Sequence, residues 1–260
     1  MPYATANGQQ LYYTDTGGDG PAVVCSHGFL MDHSMFDAQV AELAGDHRMI
    51  CWDERGFGAT RTDGGAFSYW DSARDLLGLL DHLDIEEAVL LGMSQGGFLS
   101  LRAGLLAPER VRALILLATQ AATETPEKTA EYQAMIDTWA DHGYLDELAD
   151  TVAGLLIGDP ALEAETKARW RSWDASGIRT AGAALLGRDD ITDRLPELQM
   201  PVLCIHGTAD SAITLDRARG VCRGVGDCRG FIEVEGGAHA ANMTHPEVVN
   251  RAIRSFLAGL

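Results

Sequence analysis

The sequence predicts an α/β fold in which helices cover both faces of a mostly parallel sheet of eight strands. Three observations lead to this prediction. Short apolar runs alternate along the chain with segments of helical periodicity, which is typical of parallel sheets. The pattern G-x-S-x-G, at Gly92 to Gly96, separates a strand-like run from a helix-like run. A segment without strand signals, from about 125 to 194, interrupts the alternation and predicts a helical insertion.

The strands are predicted from short apolar runs that are bounded by turn residues, as buried strands usually are. The first two runs flank Asn7-Gly8, a dipeptide that favours a tight hairpin turn. In chain order, the strands are expected at 3–5, 9–14, 22–26, 48–52, 87–91, 111–117, 202–205 and 231–234.

The helices are predicted from apolar residues that recur on one face. Residues 69–83 show this pattern between the fourth and fifth strands, and a closing helix is expected at about 246–257. Between the sixth and seventh strands we expect four helices, within 132–139, 145–155, 162–173 and 178–186. We therefore predict a core of residues 1–121 and 197–260 and a four-helix cap of residues 122–196.

The charge of the chain restricts its partners. With 38 acidic and 20 basic residues among 260, the formal net charge is -18 at pH 7, and such a surface repels nucleic acid. No apolar run approaches the roughly 20 residues that a membrane helix needs, and the N-terminal residues do not resemble a signal peptide. We expect a cytoplasmic protein that binds neither nucleic acid nor membrane; the sequence leaves a homodimer open.

The cysteines and histidines do not indicate a metal site. Cys25, Cys51 and Cys204 lie in strand-like runs and are expected to be buried free thiols. Cys222 and Cys228 flank a short segment and could form a disulfide, although disulfides are uncommon in the cytoplasm. The eight histidines show no spacing typical of metal ligands, so no metal site is predicted.

Ser94 is the predicted catalytic nucleophile. A strand, a tight turn and a helix in this order form a nucleophile elbow, which presents a serine hydroxyl at the top of the sheet. Gly92 and Gly96 leave room for the turn and for close approach of the backbone. The pentapeptide alone arises by chance in roughly one such chain in ten, so the assignment depends on the residues that accompany it.

A serine hydroxyl needs a base that takes its proton, and the base needs an acid that orients it. In this architecture the order along the chain is Ser, then Asp or Glu, then His. Asp210 follows the seventh strand and is the predicted acid, and His239 follows the last strand and is the predicted base. Activity should fall at acid pH, because a protonated imidazole cannot act as a base. The alternatives are Asp193 or Asp216 as the acid and His245 as the base.

Two backbone N–H groups are expected to bind the oxyanion that forms during acyl transfer. The N–H of Gln95 follows the nucleophile at the positive end of a helix. The second donor should come from the loop after the third strand, with Phe29 the first choice and Leu30 the second. His27 is expected to brace this loop by hydrogen bonding, and the turn at 53–58 is expected to be structural.

Several motifs occur in the order that the α/β-hydrolase fold superfamily shows. They are His27-Gly28-Phe29, Asp53-x-Arg55-Gly56-x-Gly58, the G-x-S-x-G pentapeptide, His206-Gly207-x-x-Asp210 and Gly237-x-His239. The chain resembles this superfamily over essentially its whole length. The runs His27 to Phe36, Ala107 to Val111 and His239 to Asn242 are similar to the 3-oxoadipate enol-lactonase-like branch. The resemblance implies a cofactor-free enzyme that hydrolyses small esters or lactones.

Two positions depart from the pattern of that branch. Gln95 stands where Met or Leu is common, and Leu30 stands in a region where members that favour perhydrolysis often have Pro. The predicted cap also contains three tryptophans, each expected first of all to serve packing. These tryptophans are Trp139, Trp170 and Trp173, and together with Leu30 they could line a large apolar substrate pocket.

These observations predict a serine hydrolase that cleaves a small-molecule ester or lactone through an acyl-enzyme. Two alternatives stay open. The same residues could hydrolyse a carbon–carbon bond of a vinylogous diketone. A ligand receptor on this fold, with a vestigial triad, would bind its ligand tightly and turn it over slowly.

Overall fold

A computed structural model describes residues 3–260 and contains the predicted sheet. Its strands are β1 (Tyr3–Ala6), β2 (Gln9–Asp15), β3 (Ala22–Ser26), β4 (Arg48–Trp52), β5 (Ala88–Met93), β6 (Val111–Leu117), β7 (Pro201–Gly207) and β8 (Asp227–Val234). In space they follow the order β1-β2-β4-β3-β5-β6-β7-β8. β2 is antiparallel to both of its neighbours, and the other pairs are parallel. The predicted fold class is confirmed.

Helices cover both faces of this sheet. The helices outside the cap region are α1 (Asp37–Leu43), α2 (Tyr69–His82), α3 (Gln95–Leu106), α8 (Leu215–Gly224), α9 (Ala241–Thr244) and α10 (Pro246–Leu257). On one face, the buried residues Leu76 of α2 and Leu99 of α3 pack against Leu90 of β5. On the other face, Leu43 of α1 and Ile253 of α10 belong to a second apolar cluster. Burial of these two clusters stabilises the layered architecture.

Four further helices lie between β6 and β7, as predicted. They are α4 (Pro126–His142), α5 (Asp146–Leu156), α6 (Pro160–Ser172) and α7 (Ile178–Leu186). Trp139, Trp170 and Ile178 form a third apolar cluster with Leu30 and Phe57, which lie in loops after β3 and β4. This cluster fixes the four helices over the carboxyl ends of the parallel strands. The division into a core of 1–121 and 197–260 and a cap of 122–196 stays a prediction.

The last strand departs from the sequence prediction at its start. β8 begins at Asp227, whereas the apolar pattern predicted 231. β8 lies at one edge of the sheet, and most of its side chains are only partly buried. Its first half therefore lacks the apolar run that is typical of a central strand. A disulfide between Cys222 and Cys228 joins the end of α8 to this strand.

The other three cysteines are buried free thiols, as predicted: Cys25, Cys51 and Cys204. Burial raises the pKa of the Cys204 thiol to about 12, which keeps it protonated. Within residues 3–260, no helix combines the length and the apolar character that crossing a bilayer requires.

Candidate active site

Ser94 lies in the turn between β5 and α3, at the amino-terminal end of the helix. Its backbone has φ 51° and ψ −113°, a conformation that residues with a side chain rarely adopt. Two contacts explain the flanking glycines. A Cβ on Gly96 would lie 1.9 Å from the Ser26 carbonyl oxygen, and a Cβ on Gly92 would lie 2.3 Å from the Gly96 carbonyl oxygen. The pentapeptide therefore forms the sharp, closely packed turn expected of a nucleophile elbow.

Asp210 and His239 meet in the loops that follow β7 and β8. The Nδ1 of His239 lies 2.8 Å from Oδ2 of Asp210. The other carboxylate oxygen, Oδ1, accepts hydrogen bonds from the N–H groups of Ala212 at 2.8 Å and Ile213 at 3.0 Å. Burial alone would raise the pKa of Asp210, but the charge of His239 and the hydrogen bonds outweigh it, so this pKa is lowered. Asp210 therefore has a buried carboxylate within hydrogen-bond distance of the imidazole.

The alternative acid and base residues lie elsewhere. The Asp216 side chain is 87% exposed and pairs with Arg219 on the same helix. Asp193 is exposed, and Nδ1 of His245 lies 2.8 Å from the hydroxyl of its neighbour Thr244. The structure thus brings Asp210, and not these residues, into contact with His239.

Ser94 and His239 border the same cavity, which has a volume of about 250 Å³. The Ser94 backbone is fixed by its N–H, which donates to the Leu117 carbonyl at 2.8 Å, and by its carbonyl, which accepts from the Thr119 hydroxyl at 2.8 Å. Among the hydrogen bonds of residues 3–260, none joins the Ser94 hydroxyl to His239. Such contacts are often long in an unliganded site and shorten when substrate binds.

The loop after β3 lies directly against Ser94. A Cβ on Gly28 would be 3.7 Å from the Ser94 Cβ. In the described part of the chain, the backbone N–H groups of Phe29 and Gln95 donate to no acceptor, and neither does that of Leu30. His27 braces this loop: its Nε2 accepts from the Glu54 N–H at 2.9 Å, and its Nδ1 lies 2.8 Å from the Gly28 carbonyl oxygen. Unpaired N–H groups beside a serine are suitable donors for an oxyanion.

Apolar side chains from the cap helices and from the core line most of the cavity. Leu30 is part of this lining, as predicted, but Trp139, Trp170 and Trp173 are not. This part of the pocket prediction is wrong, because the large rings pack among the cap helices and against the loops after β3 and β4. Trp139 and Trp170 are buried edge-to-face with ring centres 5.2 Å apart, and Trp173 packs against Phe57. The cap contributes instead through α4, α5 and α7, with lining residues that include Met135, Leu148, Val152, Leu155, Leu156 and Leu185.

Comparison with protein families agrees with this geometry. Residues 21–246 match the family described as the alpha/beta hydrolase fold. The chain belongs to this family. A match of this length spans the elbow, the acid loop and the histidine loop together.

Relatives of this α/β hydrolase include proteins that are named for different activities. The 3-oxoadipate enol-lactonase 2 of Acinetobacter baylyi is 28% identical, over 97% of this chain and 95% of its own length. A Synechocystis protein named as a candidate non-heme chloroperoxidase is 29% identical, over 99% of this chain and 100% of its own length. A thermophilic esterase from Thermogutta terrifontis has a TM-score of 0.89 and 28% identity, covering 96% of this chain and 94% of its own. The resemblance to enol-lactonases is confirmed.

The side chain of Gln95 in this α/β hydrolase points into the core. It is 1% exposed, and its Oε1 accepts a hydrogen bond from the Tyr69 hydroxyl at 3.1 Å. Tyr69 belongs to α2, so the bond ties the start of α3 to the neighbouring helix. The backbone N–H of Gln95 is thus unpaired beside Ser94, while its side chain packs in the core.

Sequence reasoning gave His206 no role in this site. It lies on β7, is fully buried, and has its Nε2 3.3 Å from Oδ2 of Asp210 and 2.9 Å from the Ile213 carbonyl oxygen. Burial lowers the pKa of His206, which favours a neutral ring behind the acid. Its position four residues before Asp210, at the end of a strand, is the signal that could have identified it.

Trp170 supports the loop after β3 instead of lining the cavity. Its Nε1 donates to the Leu30 carbonyl at 2.6 Å. We expect Trp170→Phe to lower the free energy of unfolding by about 1–3 kcal/mol, because it leaves a buried acceptor unpaired. Urea denaturation of the wild type and the variant measures this difference. Trp173→Phe is the matched control, since within residues 3–260 the Trp173 ring nitrogen makes no hydrogen bond; equal losses in both variants would contradict the assignment.

One cluster in residues 3–260 contains three potential metal ligands: Cys204, Cys222 and Cys228, whose sulfur atoms lie within 4.8 Å of one another. Two of these sulfurs are joined in the disulfide. None of the three lines the cavity beside Ser94. This cluster is therefore separate from the candidate active site.

Proposed function

We propose that this α/β hydrolase cleaves carboxylic esters or lactones through an acyl-enzyme on Ser94. The observation that carries the proposal is the hydrogen bond between His239 and Asp210, at the border of the cavity that Ser94 also lines. A buried carboxylate behind an imidazole is the arrangement that lets the imidazole accept a proton from serine. The unpaired N–H groups of Phe29 and Gln95 complete the parts required for acyl transfer.

In the first half of the reaction, Nε2 of His239 takes the proton of the Ser94 hydroxyl as Oγ attacks the carbonyl carbon. The π electrons of the carbonyl move to its oxygen, which accepts hydrogen bonds from the N–H groups of Phe29 and Gln95. The carbonyl then re-forms and the bond to the alkoxy oxygen breaks. His239 gives its proton to this oxygen, so that an alcohol leaves, or in a lactone the opened chain stays attached as the acyl group.

In the second half, a water molecule attacks the acyl carbon while His239 removes one of its protons. The same N–H groups bind the second oxyanion. When it collapses, the bond to Ser94 Oγ breaks, Oγ recovers its proton from His239, and the carboxylic acid is released. Asp210 stays ionised throughout and stabilises the imidazolium that forms in each half. No step requires a cofactor.

Two of these relatives support the same class of reaction. The Acinetobacter protein is named an enol-lactonase and the Thermogutta protein an esterase, and both names denote cleavage of an ester bond. We propose a small-molecule ester or lactone as the substrate of this chain on that basis and on the site described above.

A substrate panel tests the proposal. The panel contains p-nitrophenyl esters of short acids, lactones of graded ring size and a vinylogous diketone, each incubated in ¹⁸O-labelled water with mass spectrometry of the products. We expect esters or lactones to give an acid that carries label from the solvent. Carbon–carbon cleavage alone would favour a vinylogous diketone hydrolase. Tight ligand binding without turnover would favour a receptor, and either outcome would contradict the proposal.

A further inference from the structure

The cavity beside Ser94 has no lysine or arginine among the described residues that line it. Two of these residues are glutamates, Glu124 and Glu131. His239 is the one lining residue that can become a cation, and the proposed reaction uses it as a base. A carboxylate that enters this cavity therefore finds no opposite charge on the walls.

Two arginines outside the lining pair with the lining residue Glu124, while the Nε of Arg188 is buried without a hydrogen-bond partner among the described residues. Arg188 donates to the Leu185 carbonyl at 2.7 Å and to Oε1 of Glu124 at 2.9 Å. Arg217 donates through Nη1 to Oε2 of Glu124 at 3.2 Å and to the Thr123 carbonyl at 2.9 Å. Neither arginine belongs to the cavity lining. Glu124 does, and its carboxylate accepts from both arginines, so these two cations are paired with a residue of the cavity wall.

The ammonium group of Lys128 also makes hydrogen bonds within the protein. Its Nζ donates to the carbonyl oxygens of Ser211, at 3.2 Å, and Ala212. These contacts join α4 to the loop after Asp210. Lys128 is therefore held against the protein backbone and is not a lining residue of the cavity.

The pKa of the Tyr132 hydroxyl reflects the burial and the charges at the cavity wall. Tyr132 lines the cavity from α4, and its pKa is raised to about 12, first by burial and then by the negative charges of Glu124 and Asp210, although Arg188 opposes them. The same burial and the same charges that disfavour a phenolate disfavour a substrate carboxylate.

We propose that this cavity binds the uncharged, apolar acyl or alkoxy part of a neutral ester and excludes substrates that carry a carboxylate there. The inference rests on the proposed function and goes further by naming the substrate class. The proposal also implies that this chain does not act on the substrate for which its enol-lactonase relative is named. 3-Oxoadipate has two carboxyl groups, so its enol-lactone keeps one as a free carboxylate.

Two nearly isosteric substrates test the proposal. Ethyl heptanoate and monoethyl adipate share the ethyl ester group and the methylene chain next to it. At the far end of that chain, ethyl heptanoate has an ethyl group and monoethyl adipate has a carboxylate. We expect kcat/KM for monoethyl adipate to be at least about 100-fold lower, because the carboxylate must lose water without gaining a partner. Both rates are measured by titration of the released acid at constant pH.

A charge-reversal variant tests whether the cavity itself is responsible. Glu131 is an exposed residue at the lining, so Glu131→Lys should fold and place a cation at the cavity. It should raise kcat/KM for monoethyl adipate relative to kcat/KM for ethyl heptanoate by about tenfold. Glu165→Lys on α6 is the matched control, since Glu165 is exposed and outside the lining, and it should change neither rate.

The outcomes separate this inference from the proposed function. Equal or better hydrolysis of monoethyl adipate by the wild type overturns the inference but leaves ester hydrolysis standing. Equal effects of Glu131→Lys and Glu165→Lys also overturn it, because the discrimination would then come from overall charge. Failure to hydrolyse either ester, together with inactivity on the substrate panel, overturns the proposed function and the inference with it.

Discussion

Replacing Ser94 by alanine should lower kcat/KM for a short p-nitrophenyl ester by about 10⁴- to 10⁶-fold, the range typical for loss of a catalytic serine. The acyl-enzyme cannot form without Oγ, and the remaining N–H groups and the cavity can only assist direct attack by water. The turn itself should survive, since alanine differs from serine by the hydroxyl alone. Stopped assays at high enzyme concentration measure the residual rate, and circular dichroism checks the fold.

Ser72→Ala is the matched control for this variant. Ser72 lies on α2 with its hydroxyl buried and without a hydrogen-bond partner in the described residues, so its loss removes the same atom from a site outside the cavity. Activity should stay within about twofold of the wild type. If Ser94→Ala also kept more than about a tenth of the activity, Ser94 would not be the nucleophile.

Replacing Asp210 by asparagine should lower kcat by about 10³- to 10⁴-fold with little change in KM. The hydrogen bonds around Asp210 give the reason. Oδ1 accepts from two backbone N–H groups, so an amide at this position keeps its oxygen there and turns its NH₂ group toward His239. Nδ1 of His239 must then accept a hydrogen bond, which places the ring proton on Nε2. An imidazole in that tautomer cannot take the proton of Ser94.

Asp216→Asn is the control, because it makes the same chemical change at an exposed side chain that the sequence left as an alternative acid. It should leave kcat unchanged. Activity of Asp210→Asn within tenfold of the wild type would exclude Asp210 as the orienting acid. The lowered pKa of Asp210 keeps its carboxylate ionised at mildly acid pH. Protonation of Asp210 is therefore not expected to reduce wild-type activity at such pH.

The sequence predicts the sheet and the loops around Ser94 well, because these features depend on local patterns. A Cβ at Gly92 or Gly96 would lie only 1.9–2.3 Å from a backbone oxygen, so the glycines of the motif are required by the turn itself. Asp210 and His239 follow strand ends, and the parallel topology brings those ends to one edge of the sheet. Order along the chain is therefore enough to place these residues near one another.

The lining of the cavity could not be predicted in this way. The cap helices α4 to α7 have apolar residues on several faces, and only their packing decides which face meets Ser94. Trp139 and Trp170 fill the space between the helices, whereas Met135 and Val152 face the cavity. The Gln95 side chain bonds to Tyr69 on another helix, so no local sequence pattern predicts this contact.

The most direct test of the proposed mechanism is covalent capture of Ser94. A fluorophosphonate transfers its phosphonyl group to an activated serine oxygen and releases fluoride, and peptide mass spectrometry locates the adduct. We expect a single adduct on Ser94, formed in proportion to the loss of activity and absent from Ser94→Ala. An enzyme that is inactivated while Ser94 stays unmodified, or that reacts at another residue, would contradict the mechanism.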